Sequence, residues 1–379
     1  MKLSQRSLKL RVSALHEFFA RAKRLEAEGK KIISLGVGEP FEDVTQDIKL
    51  AAIRTVLKKT GYTPSLGMVD LRKKVANKYG VASDEVLISH GAKSVLGVFM
   101  QCLVDPGDKI FIPAPYYPPF VEIAKFLDAE IVLLDTRPDN FQLTSENVFQ
   151  AVMRYGVPKI LLINTPNNPT GAEYGRDELE KIVEMANVHG ITIIADECYG
   201  KFSEDYCFSM HGLSEKTVII NSSSKTNAMT GWRIGWGVGP RELIKQAGIY
   251  LDNFVGCPNA IAQEVFLETG FNGKNMVTGY YQQKQIIEKW LKHLRIPCMA
   301  GESAIYVFPD FSEFMGKDGF SDSVDLASTL LNEDGVVVTP GSTFGETYCN
   351  HLRISYSVPV GILNEGFSLI RERLIRLRK

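Results

Sequence analysis

Between residues 85 and 240 one pattern recurs: a short run of β-branched and aliphatic residues, then a longer segment with apolar residues at helical spacing. The short runs cover 86–88, 109–112, 131–134, 160–163, 191–194 and 218–220. Helical segments at 92–104, 117–127, 145–153 and 177–189 lie between most of them. The runs are largely apolar instead of alternating, so they bury both faces. Such strands, alternating with helices, predict an α/β fold with a mostly parallel sheet covered by helices. Ligands on such a sheet bind beyond the C-terminal ends of the strands, so functional residues are expected just after these runs.

After Pro240 the pattern turns helical, at 241–252, 259–268 and 279–294, with short strands expected at 304–308, 336–339 and 352–355. A last helix places Phe367, Ile370, Leu374 and Leu377 on one face. These segments predict a smaller α+β domain built from 286–379 with the N-terminal 1–44, beside a large domain of 45–285. The N-terminal stretch carries Val12, Leu15, Phe18, Phe19, Ala22 and Leu25 at helical spacing and reads as an amphipathic helix. It lacks the apolar core of a secretion signal, and Glu17, Glu26 and Glu28 argue against a mitochondrial leader. The chain is therefore expected in the cytoplasm.

Charge and cysteine usage narrow the function classes. Lys and Arg total 43 against 44 Asp and Glu, which excludes nucleic-acid binding by bulk charge but leaves room for a local anion pocket. No run approaches the ~18–20 apolar residues of a membrane span. The six cysteines form no Cys-x-x-Cys and have no histidine at zinc-ligand spacing, so they read as core thiols and no metal site is expected.

No Walker-type phosphate loop occurs, and no Gly-x-Gly-x-x-Gly opens a βα unit. Gly235-Trp236-Gly237-Val238-Gly239, followed by Pro240, reads as glycines at a strand end. Four other clusters follow predicted strands. Gly91-Ala92-Lys93 opens a helix whose free amides suit an anion. Asn164-Thr165-Pro166-Asn167-Asn168-Pro169-Thr170-Gly171 builds a rigid turn, with two adjacent amides that need partners if buried. Asp196-Glu197 follows an apolar run, where a carboxylate calls for a cation. Asn221-Ser222-Ser223-Ser224-Lys225-Thr226, then Thr230-Gly231-Trp232-Arg233, suits a phosphate dianion, and Lys225 on a crevice wall would gain nucleophilic character by desolvation. Each cluster also has a plain structural reading as turn, ion pair or solvated loop. Together they ask for a phosphorylated pyridine aldehyde held by a lysine.

The Asn-Asn-Pro-Thr-Gly core, Asp196-x-x-Tyr199, Ser222-x-x-Lys225 and Met229-Thr230-Gly231-Trp232-Arg233-Ile234-Gly235 resemble the class I/II pyridoxal-phosphate aminotransferases of fold type I, the aspartate aminotransferase superfamily. The likeness runs from Gly36-Val37-Gly38-Glu39-Pro40 to His351-Leu352-Arg353-Ile354-Ser355-Tyr356. The resemblance implies a seven-stranded central sheet and pyridoxal 5′-phosphate as cofactor. It implies that Lys225 forms the Schiff base and carries the proton. Asp196 would pair with the pyridinium nitrogen and, beside that cation, keep a depressed pKa. Asn168 and Tyr199 would hold the phenolic oxygen. Ala92 and Lys93, after Gly91, would contact the phosphate through backbone amides, with Ser222, Ser224 and Arg233. Tyr117 would stack on the ring. Tyr62, in Gly61-Tyr62-Thr63-Pro64, would reach the phosphate of a partner subunit, implying a homodimer. Arg353 would fork the substrate α-carboxylate, helped by the backbone at Gly38, with Tyr117 and Asn168 bordering the same site. Cis peptides are expected at Ala114–Pro115 and Asn168–Pro169.

The implied reaction moves the α-amino group of an L-amino acid to a 2-oxo acid; a β- or γ-eliminating lyase or cyclase on the same fold is the alternative. Three departures from the family pattern lie on the substrate side: Phe41-Glu42-Asp43 after Pro40, Glu302-Ser303-Ala304-Ile305-Tyr306, and Ser13-Ala14-Leu15. Leu15 stands where aspartate-specific members often offer a hydroxyl. With Tyr117 and Phe18 near, it favours a neutral or aromatic donor; the alternative is aspartate, its distal carboxylate read by an Arg or Lys elsewhere. No nucleic acid or membrane partner is expected.

Overall fold

The computed structural model describes residues 1–10, 14–58, 60–202, 209–214, 216–271, 274–299, 301, 303–317 and 320–378. Its strands in chain order are β1 (Ile33–Ser34), β2 (Val86–Ser89), β3 (Lys109–Ala114), β4 (Glu130–Asp135), β5 (Ile160–Asn164), β6 (Thr192–Asp196), β7 (Thr217–Ser222), β8 (Gly235–Val238), β9 (Tyr306–Val307), β10 (Val336–Val337), β11 (Thr339–Pro340) and β12 (Leu352–Ser355). Seven of them form the central sheet in the order β2-β8-β7-β6-β5-β3-β4. The pairs from β4 through β7 are parallel, and β8 runs antiparallel to both its neighbours.

The sheet is buried on both faces, as its apolar runs require. Leu87, Ile110, Ile112, Leu162, Ile194 and Ile220 face Val95, Leu96, Phe99, Ile244 and Leu251 of two covering helices. The alternate residues Ile88, Phe111, Leu161, Ile163, Ile193 and Ile219 face Leu71, Val75, Leu179, Ile182 and Phe266. A further core joins Ile33, Leu35, Ile287, Leu291, Val336, Ile354, Leu363, Phe367, Ile370 and Leu374, and it reaches over to Tyr199, Phe202 and Tyr280.

Residues 235–239, read from sequence as glycines at a strand end, include a full strand. The glycines hide it from any hydrophobic pattern, yet they are what lets it pair. A Cβ on Gly237 would stand 2.4 Å from the Phe99 ring, and one on Gly235 2.6 Å from the Ala92 nitrogen. The helix Ala92–Leu103 lies against bare backbone here, closer than side chains would permit.

Chain reversal on either side of β3 produces the switch point of the sheet, because β3 is followed outward by β4 while β5 pairs on its other edge. The C-terminal ends at Ala114, Asn164, Asp196 and Ser222 therefore aim into one crevice. Two cis peptides lie beside it, Ala114–Pro115 as expected and Thr165–Pro166. The second was expected at Asn168–Pro169. That bond lies instead in a turn closed by Gly171 N–H donating to Asn167 O at 2.8 Å, which accommodates the trans form.

Candidate active site

The floor of the crevice is the end of β6. Asp196 is 9 % exposed, its Oδ1 accepts the Cys198 N–H at 3.1 Å, and it joins no ion pair among the described residues. Burial pushes its carboxyl above the usual carboxylate range, with the Cys198 N–H and the Lys225 charge opposing. The depressed value that the resemblance implies belongs to a carboxylate beside a pyridinium cation; within the chain alone, burial outweighs the Lys225 charge. Lys225 Nζ donates to the Gly38 carbonyl and lies 5.8 Å from the Tyr199 ring centre. A buried carboxylate of this kind calls for a cation supplied from outside the chain.

One wall is an anion cradle. Gly91 (φ +88°) caps the helix Ala92–Leu103, whose first amides have no intrahelical acceptor. Arg233 reaches over this turn, Nη2 donating to His90 O at 3.0 Å and Nη1 to Thr230 O at 2.6 Å. Its backbone sits at φ +57°, a strained conformation for arginine. The φ of +88° favours glycine at position 91, and a Cβ there would stand 2.6 Å from Nη2 and push the guanidinium aside. Lys93 lies 5.9 Å from the Tyr117 ring centre, and burial together with the Arg233 and Lys225 charges lowers its pKa. Among the described residues neither Lys93 nor Arg233 has a carboxylate partner. Ser222 Oγ accepts the Ser224 N–H at 3.4 Å and approaches Cys198 Sγ at 3.6 Å. Tyr117, which precedes the helix Pro118–Phe126, is close enough for the Asp196 charge to raise its pKa further after burial does so.

The opposite wall carries Arg353, from β12 and 2 % exposed. Nη1 donates to Asn168 Oδ1 at 2.9 Å and Nη2 to Gly36 O at 2.7 Å, while Nε is buried without a partner. The guanidinium lies 4.4 Å from the Tyr306 ring centre and 5.0 Å from that of Phe344. With its oxygen held by Arg353, Asn168 keeps its side-chain N–H groups for the pocket. The Tyr199 hydroxyl bonds the Tyr306 hydroxyl at 2.8 Å, and burial pushes the Tyr199 pKa well up.

The crevice thus brings together Lys225, Asp196, Tyr199, Asn168, Tyr117, Gly91, Ala92, Lys93, Ser222, Ser224, Arg233, Gly38 and Arg353. Tyr62 stands apart, its side chain fully exposed. Its loop is nevertheless held: the buried Gln263 amide donates to Thr63 Oγ1 and Pro258 O, each at 3.0 Å. Phe18 is half-buried, packing with Ala22, Leu331 and Val337 and also against the core that contains Leu35 and Tyr306. The side chains of Leu15 and His16, with Ser13 and Glu302, lie outside the described residues. Tyr306, Phe344, Gly36 and Thr339, whose Oγ1 lies 3.4 Å from Arg353 Nη2, were not assigned to the site; Tyr306 and Gly36 carried a signal, as the last residue of one recognised segment and the first of another.

A cradle for a dianion, a carboxylate awaiting a cation, a lysine between them and an arginine without an anion define an enzyme that binds a phosphorylated cationic ring and a carboxylate substrate. Sequence comparison matches residues 30–365 to "Aminotransferase class I and II". Similar proteins include an aspartate aminotransferase of Bacillus subtilis, 32 % identical over 98 % of both chains, and a probable aspartate/prephenate aminotransferase of Aquifex aeolicus, 34 % identical over 98 % of both. The structure superposes on an aspartate aminotransferase from Thermus thermophilus with maleate at TM-score 0.91, 30 % identity and 98 % and 99 % coverage of the two chains. The chain belongs to the class I and II aminotransferases, and it is a pyridoxal-5′-phosphate-dependent enzyme of fold type I. Among the described residues no helix is long and apolar enough to cross a membrane, and no group of three His, Cys, Asp or Glu could hold a metal.

Proposed function

We propose that this aminotransferase takes an acidic L-amino acid, aspartate foremost, as donor and a 2-oxo acid as acceptor. The buried guanidinium of Arg353 suits the α-carboxylate that every donor brings, each charge-assisted bond being worth about 1.5–3 kcal/mol. Lys93, a second cation at the crevice with no carboxylate partner among the described residues, carries the choice of an acidic donor, because it suits a distal carboxylate. The relatives named for aspartate, and the Thermus enzyme seen with a dicarboxylate, support that choice over the neutral or aromatic donor read from Leu15.

The residues present fit the cofactor. Amides at Ala92 and Lys93, with Ser222, Ser224 and Arg233, would hold its phosphate; Tyr117 would cover the ring; Asn168 and Tyr199 would hold its phenolic oxygen. When bound, the cofactor supplies an electron-accepting ring conjugated to the substrate α-carbon. The Asp196 carboxylate would pair with the ring nitrogen, and a cation there would lower its pKa. Lys225 Nζ, released from Gly38 O, would take the substrate's α-proton and hold it for return. Arg353 and the Gly38 backbone fix the substrate so that this proton faces Lys225. Transfer is favoured over elimination or cyclisation by the relatives' activities. We further take the chain to be a homodimer with Tyr62 serving the partner's phosphate, and 45–285 to be the large domain against 1–44 with 286–379.

Specificity constants for aspartate, methionine, tyrosine and arginine test the reading. Aspartate should lead by about tenfold or more, about 1.4 kcal/mol in transition-state binding. Lys93→Met should erase that lead and spare tyrosine. An equal loss for both donors, or tyrosine leading in the native enzyme, would reverse the assignment.

A further inference from the structure

Residues 35–42 run past the crevice without regular structure, and both of their ends are fastened. At the start, Leu35 N–H donates to Val337 O at 2.8 Å, and Leu35 O accepts the Ser355 N–H at 2.7 Å. In the middle, Gly36 O accepts from Arg353 and Gly38 O from Lys225. Beyond them, the Ser357 hydroxyl donates to Glu39 O at 2.6 Å. At the far end Tyr280, from the helix Lys274–His293, donates its hydroxyl to the Glu42 carboxylate, with Ser357 Oγ 3.3 Å from that hydroxyl.

Apolar burial does not hold this segment. Between Leu35 and Val44 the described residues include no buried apolar side chain. Gly36 and Gly38 have none to offer, and a Cβ on Gly38 would stand 2.2 Å from the Tyr306 hydroxyl oxygen. The place of two functional carbonyls therefore depends on polar fastenings at the ends. Tyr280 is the rigid one: it is 3 % exposed, with its ring edge-on to Phe41 at 5.7 Å and to Phe202 at 5.5 Å. Burial, then the hydrogen bond to Glu42, pushes its hydroxyl pKa up, so it remains a donor throughout the neutral range.

We propose that Tyr280, with Glu42 and Ser357, is a positioning cluster that holds residues 36–42 against the active site and so sets where Gly36 meets Arg353 and Gly38 meets Lys225. The proposal rests on the roles given above to Lys225 and Arg353. Loosening the cluster leaves the cradle for the cofactor untouched and blurs the carboxylate site. The cost falls on substrate binding.

The test uses the holoenzyme with Tyr280→Phe, Glu42→Ala and Glu42→Gln, read by steady-state kinetics and by hydrogen exchange of the 36–43 backbone. Tyr280→Phe keeps the ring and its contacts, so the fold is retained. It should raise the donor KM about tenfold, change kcat less than about twofold, and speed exchange across 36–43. Glu42→Ala should do the same, and Glu42→Gln, which keeps an acceptor oxygen, should restore most of the loss. Unchanged exchange in Tyr280→Phe, or a KM rise without faster exchange, overturns the proposal. Lys225→Ala made alongside keeps the two ideas apart: borohydride labelling that survives in it refutes the role of Lys225, whereas exchange at 36–43 depends on no reaction.

Discussion

Replacing Arg353 with lysine keeps the charge and removes the fork. The guanidinium spends Nη1 on Asn168 Oδ1 and Nη2 on Gly36 O, and stacks between Tyr306 and Phe344. An ammonium can keep one of those bonds, cannot stack in the same plane, and offers a substrate carboxylate a single donor in place of two. Losing one charge-assisted bond costs about 1.5–3 kcal/mol, so kcat/KM for the donor should fall roughly 10- to 150-fold. The cleanest assay follows the cofactor's absorbance in a single turnover with aspartate and, in parallel, with an amine that lacks the α-carboxylate. The rate with the amine should be the same in each protein. A loss of less than threefold with aspartate would refute the reasoning. So would an equal loss with the amine, because the effect would then come from a disturbed pocket.

Glu197 is 5 % exposed, held by Ser209 and Met210, and its pKa is pushed up to about 7 by burial. A carboxyl with a raised folded pKa binds its proton more tightly when native, so stability should fall as pH rises from about 4.5 to about 7, by of order 3 kcal/mol, then level off. Glu197→Gln should flatten that fall in thermal melts; identical pH profiles would rule it out. Gly237→Ala drives a methyl into the Phe99 ring and should cost about 1–3 kcal/mol in chemical denaturation, a neutral result showing that the helix can lift away. Mixing subunits carrying Tyr62→Phe with subunits carrying Lys225→Ala should regenerate one intact site per hybrid dimer; no recovery after subunit exchange would place Tyr62 with its own chain.

The sequence made the central architecture legible because parallel strands buried on both faces leave long apolar runs, and because the residues that follow them are polar where solvent-exposed turns need not be. Strand β8 stayed hidden, since a strand that pairs through glycine has no hydrophobic signature. Asp196 ends its strand where the apolar run predicted, whereas the bond from Lys225 to the Gly38 carbonyl cannot be read from spacing. Tyr306 and Phe344 escaped because they act by enclosing Arg353 from remote segments, and sequence distance gives no hint of that sandwich. Residues 36–42 looked like a motif; their fastening to Tyr280 and Ser357 exists only in three dimensions.

Strand β2 gives one more result. It pairs with β8 and joins residues 86–89 to residues 235–238. The helix that opens the anion cradle starts directly after β2, and Arg233 arrives directly before β8. The two halves of the cradle are therefore strangers along the chain until this antiparallel edge closes. During synthesis the sheet's parallel centre can assemble first, from contacts between neighbouring strands, while the non-local edge waits for its late partner. A ligand that requires both halves can bind only to chains that have completed this step. Cofactor loading thus reports on the closing of the sheet, and a nascent or misfolded chain with an open edge has no cradle with which to sequester a reactive aldehyde.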